Sequence, residues 1–211
     1  MIKTFLFDLD GTLIQTTEII IDTFKIIFKK YFPNLVLTDS EYSNLLGQTL
    51  YKTFEFYKED AQDIDQMVSD YRALSNQMIE TGLKAYPGAA ETLKYLKAKG
   101  CKVGVVTSKM RKIATYHLEL TGLIAYIDHI IGYEDVTEHK PAPEPIIKAL
   151  AALGARAKTS VYIGDHENDI IAAKKAGVQA CAVTYSMRLS EMLSYQPEYV
   201  IDELEHIKDF I

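Results

Sequence analysis

The spacing of apolar residues switches along this chain between the short runs typical of strands and the wider period of helices. The first run, Thr4-Phe5-Leu6-Phe7, is β-favouring and ends abruptly at Asp8, which predicts a buried strand. From residue 102 onward, strand-like and helix-like segments alternate. Strands are predicted at 102–107, 129–131, 161–164 and 180–183, with 199–201 as an edge strand. Helices are predicted at 110–120, with Met110, Ile113 and Leu118 as apolar positions, and at 145–153 and 169–176. Gly122, Gly154 and Gly177 follow these three helices, where a left-handed residue commonly ends a helix. Alternation of this kind builds a parallel sheet with helices on both faces.

Residues 15–85 break that rhythm, because their period is helical throughout. Ile20, Phe24, Ile27, Phe28 and Tyr31 form one apolar face, with Lys25, Lys29 and Lys30 opposite. Pro33-Asn34 and Thr38-Asp39-Ser40-Glu41 mark a turn and a new helix start. Gly47 interrupts the next apolar run, and Phe54-Glu55-Phe56-Tyr57 is read as hydrophobic core. Tyr86-Pro87-Gly88 turns the chain back into a helix at 89–99, capped by Gly100. A chain that leaves after its first strand and later rejoins a β/α succession carries an inserted small domain. The predicted class is α/β: a doubly wound parallel sheet from 1–14 and 86–211, with a helical insertion at 15–85.

Composition narrows the function. The 211 residues are 48% hydrophobic, enough for a real core, and carry a net charge of -6 without any basic tract. Nucleic acid is therefore excluded as an expected partner. An anionic substrate must be attracted by local positive charge and not by the overall field. Cys101 and Cys181 form no CxxC and have no histidine at metal spacing, so both are read as buried free thiols. No window approaches about 18 uninterrupted apolar residues, and Met1-Ile2-Lys3 does not open a signal sequence. A monomer of the reducing cytoplasm, without a membrane partner, is expected.

The candidate chemistry depends on where strands end. In an open parallel sheet the carboxyl ends of all strands share one edge, and ligands bind in the crevice there. Asp8 and Asp10 follow the first strand, Thr107 and Ser108 the second. Lys140 lies in the loop after the third, and Asp165 and Asp169 follow the fourth. Two carboxylates about 4 Å apart repel by roughly 4 kcal/mol at an effective dielectric near 20. Four of them call for a divalent cation, and all-oxygen donors favour Mg2+. A carboxylate nucleophile, a cation, a lysine and hydroxyls at a strand-to-helix turn together suit phosphoryl transfer.

The order of these segments resembles the haloacid dehalogenase superfamily, specifically its Mg2+-dependent phosphatases with a helical cap. The motifs are Asp8-Leu9-Asp10-Gly11-Thr12, Thr107 after Val105-Val106, Lys140, and Gly164-Asp165-x-x-x-Asp169. The resemblance implies a Rossmann-like core with an inserted cap, Asp8 as nucleophile and Asp10 as general acid/base. It implies phosphoryl binding by Thr107, Ser108 and Lys140. Mg2+ would take Asp8, the Asp10 carbonyl and Asp165, with Asp169 direct or one step removed. The segments 132–136 and 140–145 look most like the phosphoglycolate phosphatase and inorganic pyrophosphatase branch. That implies a small phosphorylated metabolite or pyrophosphate as substrate, inspected by cap residues Gly47, Gln48 and Thr49.

Two positions depart from the branch. Gln15 stands where an aspartate is common, and His166 where a small residue is usual. His166 and His139 are read as crevice-lining or solvent-facing, because Mg2+ prefers oxygen. Lys109 and Arg111, at the start of a helix, are read as ordinary exposed charges. Among competing readings, a phosphosugar mutase shares the two acids and a helical cap, but resembled mutases tend to carry Glu-Asp in place of Gly164-Asp165. A dehalogenase lacks the second acid. From a different class, a phospho-accepting receiver or a non-catalytic binding protein would gather similar side chains, but a receiver carries no cap.

Overall fold

Among the described residues, six strands form one parallel sheet: β1 (Thr4–Phe7), β2 (Lys102–Val106), β3 (His129–Ile131), β4 (Ser160–Gly164), β5 (Gln179–Val183) and β6 (Tyr199–Ile201). Their order in the computed structural model is β3-β2-β1-β4-β5-β6, and residues 1–46, 48–58 and 63–211 are described. The apolar β1 is central and buried at all four positions, as a strand covered on both faces must be. Thr4 pairs with Lys102 on one side and Ser160 on the other, so Phe7 stands level with Val105 and Ile163. With the three central strands in step, the residues after them emerge at one edge.

By its internal contacts the chain forms two units, Met1–Gln15 with Lys84–Ile211, and Thr16–Leu83. The second is helical: α1 (Thr17–Tyr31), α2 (Asp39–Ser43), α3 (Leu50–Tyr57) and α4 (Ile64–Gly82). Its core gathers Phe24, Ile27, Phe28, Phe54, Met67 and Tyr71, with Phe24 and Tyr71 rings 4.6 Å apart. Phe54 is fully buried, whereas Phe56 on the opposite face of α3 is 81% exposed. Thr38 starts α2 with a reciprocal cap: its hydroxyl accepts from Glu41 N–H, and Glu41 accepts from Thr38 N–H at 2.7 Å.

Within the sheet unit, Gln15 N–H donates to the Lys84 carbonyl at 2.8 Å and Tyr86 N–H to that of Leu13 at 2.9 Å. The Gln15 side chain adds a hydrogen bond to the Ala85 carbonyl at 3.1 Å. These bonds set Gln15, Lys84 and Ala85 on the sheet side of the division.

Helices α5 (Ala89–Ala98), α6 (Arg111–Leu120), α7 (Glu144–Leu153), α8 (Glu167–Lys175) and α9 (Leu189–Ser194) complete the unit. Gly100, Gly122, Gly154 and Gly177 all have φ between 56° and 72°, the left-handed caps expected from the sequence. Two helix expectations in this unit need correction. On α6 the inward stripe is Ala114, His117 and Leu118, at i, i+3 and i+4, while Met110 and Ile113 are exposed. Helix α8 begins at Glu167 and not at Asp169. Asn168 N–H donates to His166 Nδ1 and His166 N–H to Asp169 Oδ2, each at 3.1 Å, which adds the first turn. Both cysteines are buried free thiols. Among the described residues, no helix is long and apolar enough to cross a membrane.

Candidate active site

The Lys140 side chain gathers the edge of the sheet. Only 7% exposed, it donates to Asp8 Oδ1 at 2.9 Å, to Asp169 Oδ1 at 2.7 Å and to the Tyr162 hydroxyl at 3.1 Å. Burial alone would lower its pKa, but Asp169 and Asp8 outweigh burial and hold it well above the ordinary lysine value. Tyr162, fully buried on β4, donates its hydroxyl proton to the Val106 carbonyl at 2.9 Å. That bond presents the phenol oxygen to Lys140 as an acceptor.

Asp169 is 1% exposed and sits against the backbone of Gly164. A Cβ at residue 164 would lie 2.4 Å from Asp169 Cβ and Oδ2. The bare glycine is therefore a steric requirement of the acid's position. A glutamate at this position, as in the resembled mutases, has no room beside Asp169.

Asp165 follows Gly164 and keeps part of its surface in solvent. Its carboxylate accepts from the Thr12 hydroxyl at 3.3 Å, and its carbonyl from the Ser186 hydroxyl. The Tyr185 hydroxyl donates to the Thr12 carbonyl at 2.8 Å, and its ring stacks on Tyr86 at 4.3 Å.

Oxygens of Asp8, Asp165 and Asp169 all lie within 4.8 Å of one another. Burial pushes Asp8 up to about 7; Lys140 opposes this, and the charges of Asp169 and Asp10 add to it. Burial also raises Asp165 well above the usual carboxylate range, with Asp8 and Asp169 contributing. One ammonium is thus set against more negative charge than it can offset. The donor set is all oxygen, compact and short of positive charge, so it fits a hard divalent cation such as Mg2+.

At the other side of β1, Asp10 accepts from Lys109 Nζ at 2.8 Å. Lys109 is therefore no ordinary exposed charge. Its side chain is 19% exposed and contacts His117 Nδ1 at 3.1 Å as well. Local sequence gives no sign of this, because the pairing joins residues 99 apart. Arg111 does face solvent, paired with Asp135. Thr107 is 6% exposed and its hydroxyl accepts from Lys109 N–H at 3.2 Å; Ser108 is exposed. His139 stacks on Tyr133 at 4.1 Å.

The structure thus brings Asp8, Lys140, Asp165 and Asp169 together, with Asp10 and Thr107 at the same strand edge. Of the three residues expected to inspect substrate, Gly47 lies outside the described residues. Gln48 donates its amide to the Asn44 carbonyl, and Thr49 caps α3 by accepting from Lys52 N–H at 3.3 Å. Tyr162, Thr12, His117, Tyr185 and Ser186 do not stand out in the sequence as site residues. Thr12 lies inside the first motif, and Tyr162 is a polar residue amid an apolar strand, the one signal that points to it.

The family model of haloacid dehalogenase-like hydrolases matches residues 5–183. Pyrophosphatase PpaX of Oceanobacillus iheyensis is 36% identical over 207 residues, covering 98% of this chain and 95% of that protein. Pyrophosphatase PpaX of Halalkalibacterium halodurans is 36% identical over 211 residues, covering 100% and 97%. A haloacid dehalogenase-like family hydrolase of Streptococcus pneumoniae has the same fold, with a TM-score of 0.83 at 23% identity over 99% of this chain and 98% of that one. By sequence across nearly its whole length, and by the sheet that carries its acids, this chain belongs to the haloacid dehalogenase-like hydrolases.

Proposed function

We propose that the protein is a Mg2+-dependent phosphohydrolase that cleaves pyrophosphate, or a small phosphate monoester such as a phosphorylated two- or three-carbon acid, through a phosphoaspartate. The observation that carries this reading is the Asp8 carboxylate, delivered by β1 and tied to Lys140 beside Asp165 and Asp169. The pyrophosphatase relatives favour pyrophosphate. Gly164, which leaves no space for a mutase-type glutamate, favours hydrolysis over phosphoryl shuttling.

In this mechanism Asp8, Asp165 and the Asp10 carbonyl would hold the cation, with Asp169 direct or one step removed, and the cation would offset charge between nucleophile and phosphate. Lys140, Thr107 and Ser108 bind the transferring oxygens. An Asp8 oxygen attacks phosphorus, the bond to the leaving oxygen breaks, and Asp10 supplies that oxygen with a proton. Asp10 then takes a proton from water, whose oxygen attacks phosphorus and releases phosphate and the Asp8 carboxylate. The helical insertion, read from the sequence as 15–85 and compact over Thr16–Leu83, serves as a cap with hinges near 13–16 and 85–88, excluding water from the phosphoenzyme. Gly47, Gln48 and Thr49 are the candidates for substrate inspection.

Phosphate release from pyrophosphate and a panel of phosphorylated metabolites, each with Mg2+, tests the reading. Asp8→Asn keeps the shape but removes the nucleophilic charge, and turnover should fall by at least about 10³-fold. Retention of more than about a tenth of wild-type turnover would remove Asp8 from its role.

A further inference from the structure

We propose that His117 is a positioning residue for Asp10, acting through the ammonium group of Lys109. The inference rests on the acid/base role proposed for Asp10. His117 is 2% exposed and is the polar member of the inward stripe of α6, between Ala114 and Leu118. A leucine there would bury more apolar surface and need no hydrogen bond. The imidazole instead aims Nδ1 at Lys109 Nζ, 3.1 Å away. An ammonium has donors and no acceptor, so Nδ1 must accept and the ring proton must sit on Nε2. Burial, helped by the charge of Lys109, pulls His117 down to about 4, in keeping with a neutral acceptor.

Lys109 is pinned from every side. Its N–H donates to Thr107 Oγ1 at 3.2 Å and its carbonyl accepts from Tyr133 N–H at 2.9 Å. Its ammonium donates to Asp10 Oδ1 at 2.8 Å. A lysine stem has several free rotors, and an ammonium is a point charge without directional preference. Without a second fixed partner, the Lys109 ammonium is free to turn from Asp10 to another acceptor. The neutral ring of His117 fixes which one it meets. Lys109 in turn holds the Asp10 carboxylate at the strand edge where a leaving oxygen departs.

Phenyl phosphate and 4-nitrophenyl phosphate separate the possibilities, since they are alike in size and differ in how much the leaving oxygen needs a proton. Asp10→Asn should lose far more turnover on phenyl phosphate than on the nitro ester. His117→Leu should repeat that split at smaller size, losing about 10-fold more on phenyl phosphate. His117→Asn keeps an acceptor oxygen where Nδ1 stands and should recover wild-type selectivity within about 3-fold. Lys109→Met, at the solvent side of the same contact, should give the His117→Leu split, and it carries the test should His117→Leu fail to fold. A selective loss with Asp10→Asn but equal losses on both esters with His117→Leu or Lys109→Met overturns the inference alone. Equal losses with Asp10→Asn itself remove the acid/base role, and the inference with it.

Discussion

Gly164→Ala adds one methyl group where the site has least room. The new Cβ would stand 2.4 Å from Asp169 Cβ and Oδ2 and 2.5 Å from its Cγ. Carbon atoms pack best at about 3.5–4.0 Å, so Asp169 must retreat by about 1 Å. It cannot do so freely: it is 1% exposed and bonded to Lys140 at 2.7 Å and to His166 N–H at 3.1 Å. Overpacking costs about 1–3 kcal/mol and weakening a charge-assisted hydrogen bond about 1.5–3. The lost freedom of the unfolded chain returns only about 0.4–1 kcal/mol. The net of about 2–5 kcal/mol should lower Tm by roughly 5–15 °C for a chain of this size.

Turnover of 4-nitrophenyl phosphate with Mg2+, read well below the melting range, should fall by about 10²-fold, because Lys140 moves with Asp169. The contrast is Gly82→Ala at the end of α4, where a Cβ meets nothing within 4 Å. That variant should hold or raise Tm by about 1–3 °C. A Gly164→Ala enzyme melting within about 1 °C of wild type, with more than half its turnover, would refute the steric reasoning.

Excess chelator should abolish turnover, and Ca2+ should inhibit, since its looser coordination shell misplaces Asp8; full activity in chelator would exclude a resident cation. Asp8, raised to about 7 in the folded state without metal, binds more protons there than in the unfolded chain between its ordinary value and 7. Its contribution therefore makes the metal-free protein less stable as pH rises through that window. The Tm advantage of Asp8→Asn over wild type, without metal, should grow from pH 4 to pH 7, and a flat difference would contradict the raised Asp8. Mg2+, which needs the ionised carboxylates, should restore more Tm at pH 7.5 than at pH 5.5, by thermal melting at one Mg2+ concentration. Phe54→Ala should cost about 3–5 kcal/mol by denaturant unfolding, because the ring is fully buried among Phe24, Phe28 and Tyr71; a loss under about 1 kcal/mol would contradict that core.

Local patterning determined much of this protein. The run before Asp8, the glycines after the helices and the alternation beyond residue 102 are short-range signals, and they specify strands, helix ends and a parallel sheet. Since parallel strands end at one edge, the same signals place Asp8, Thr107, Lys140 and Asp165 near one another. Tertiary structure decided what those residues touch. Lys109 reads as a surface charge because its partner Asp10 is 99 positions away, and Thr12 reaches Asp165 across 153. His117 carries no signal in the sequence, since only packing shows that the stripe of α6 containing it, and not that of Met110 and Ile113, turns inward. His166 reads as a departure from its motif, and its cap on α8 becomes visible only with the backbone in place. Gly164 is legible as a motif letter, but its necessity comes from the Asp169 carboxylate pressed against it. Periodicity reports which way a side chain faces; which atom it meets depends on how segments distant in sequence are registered, and the packed sheet sets that.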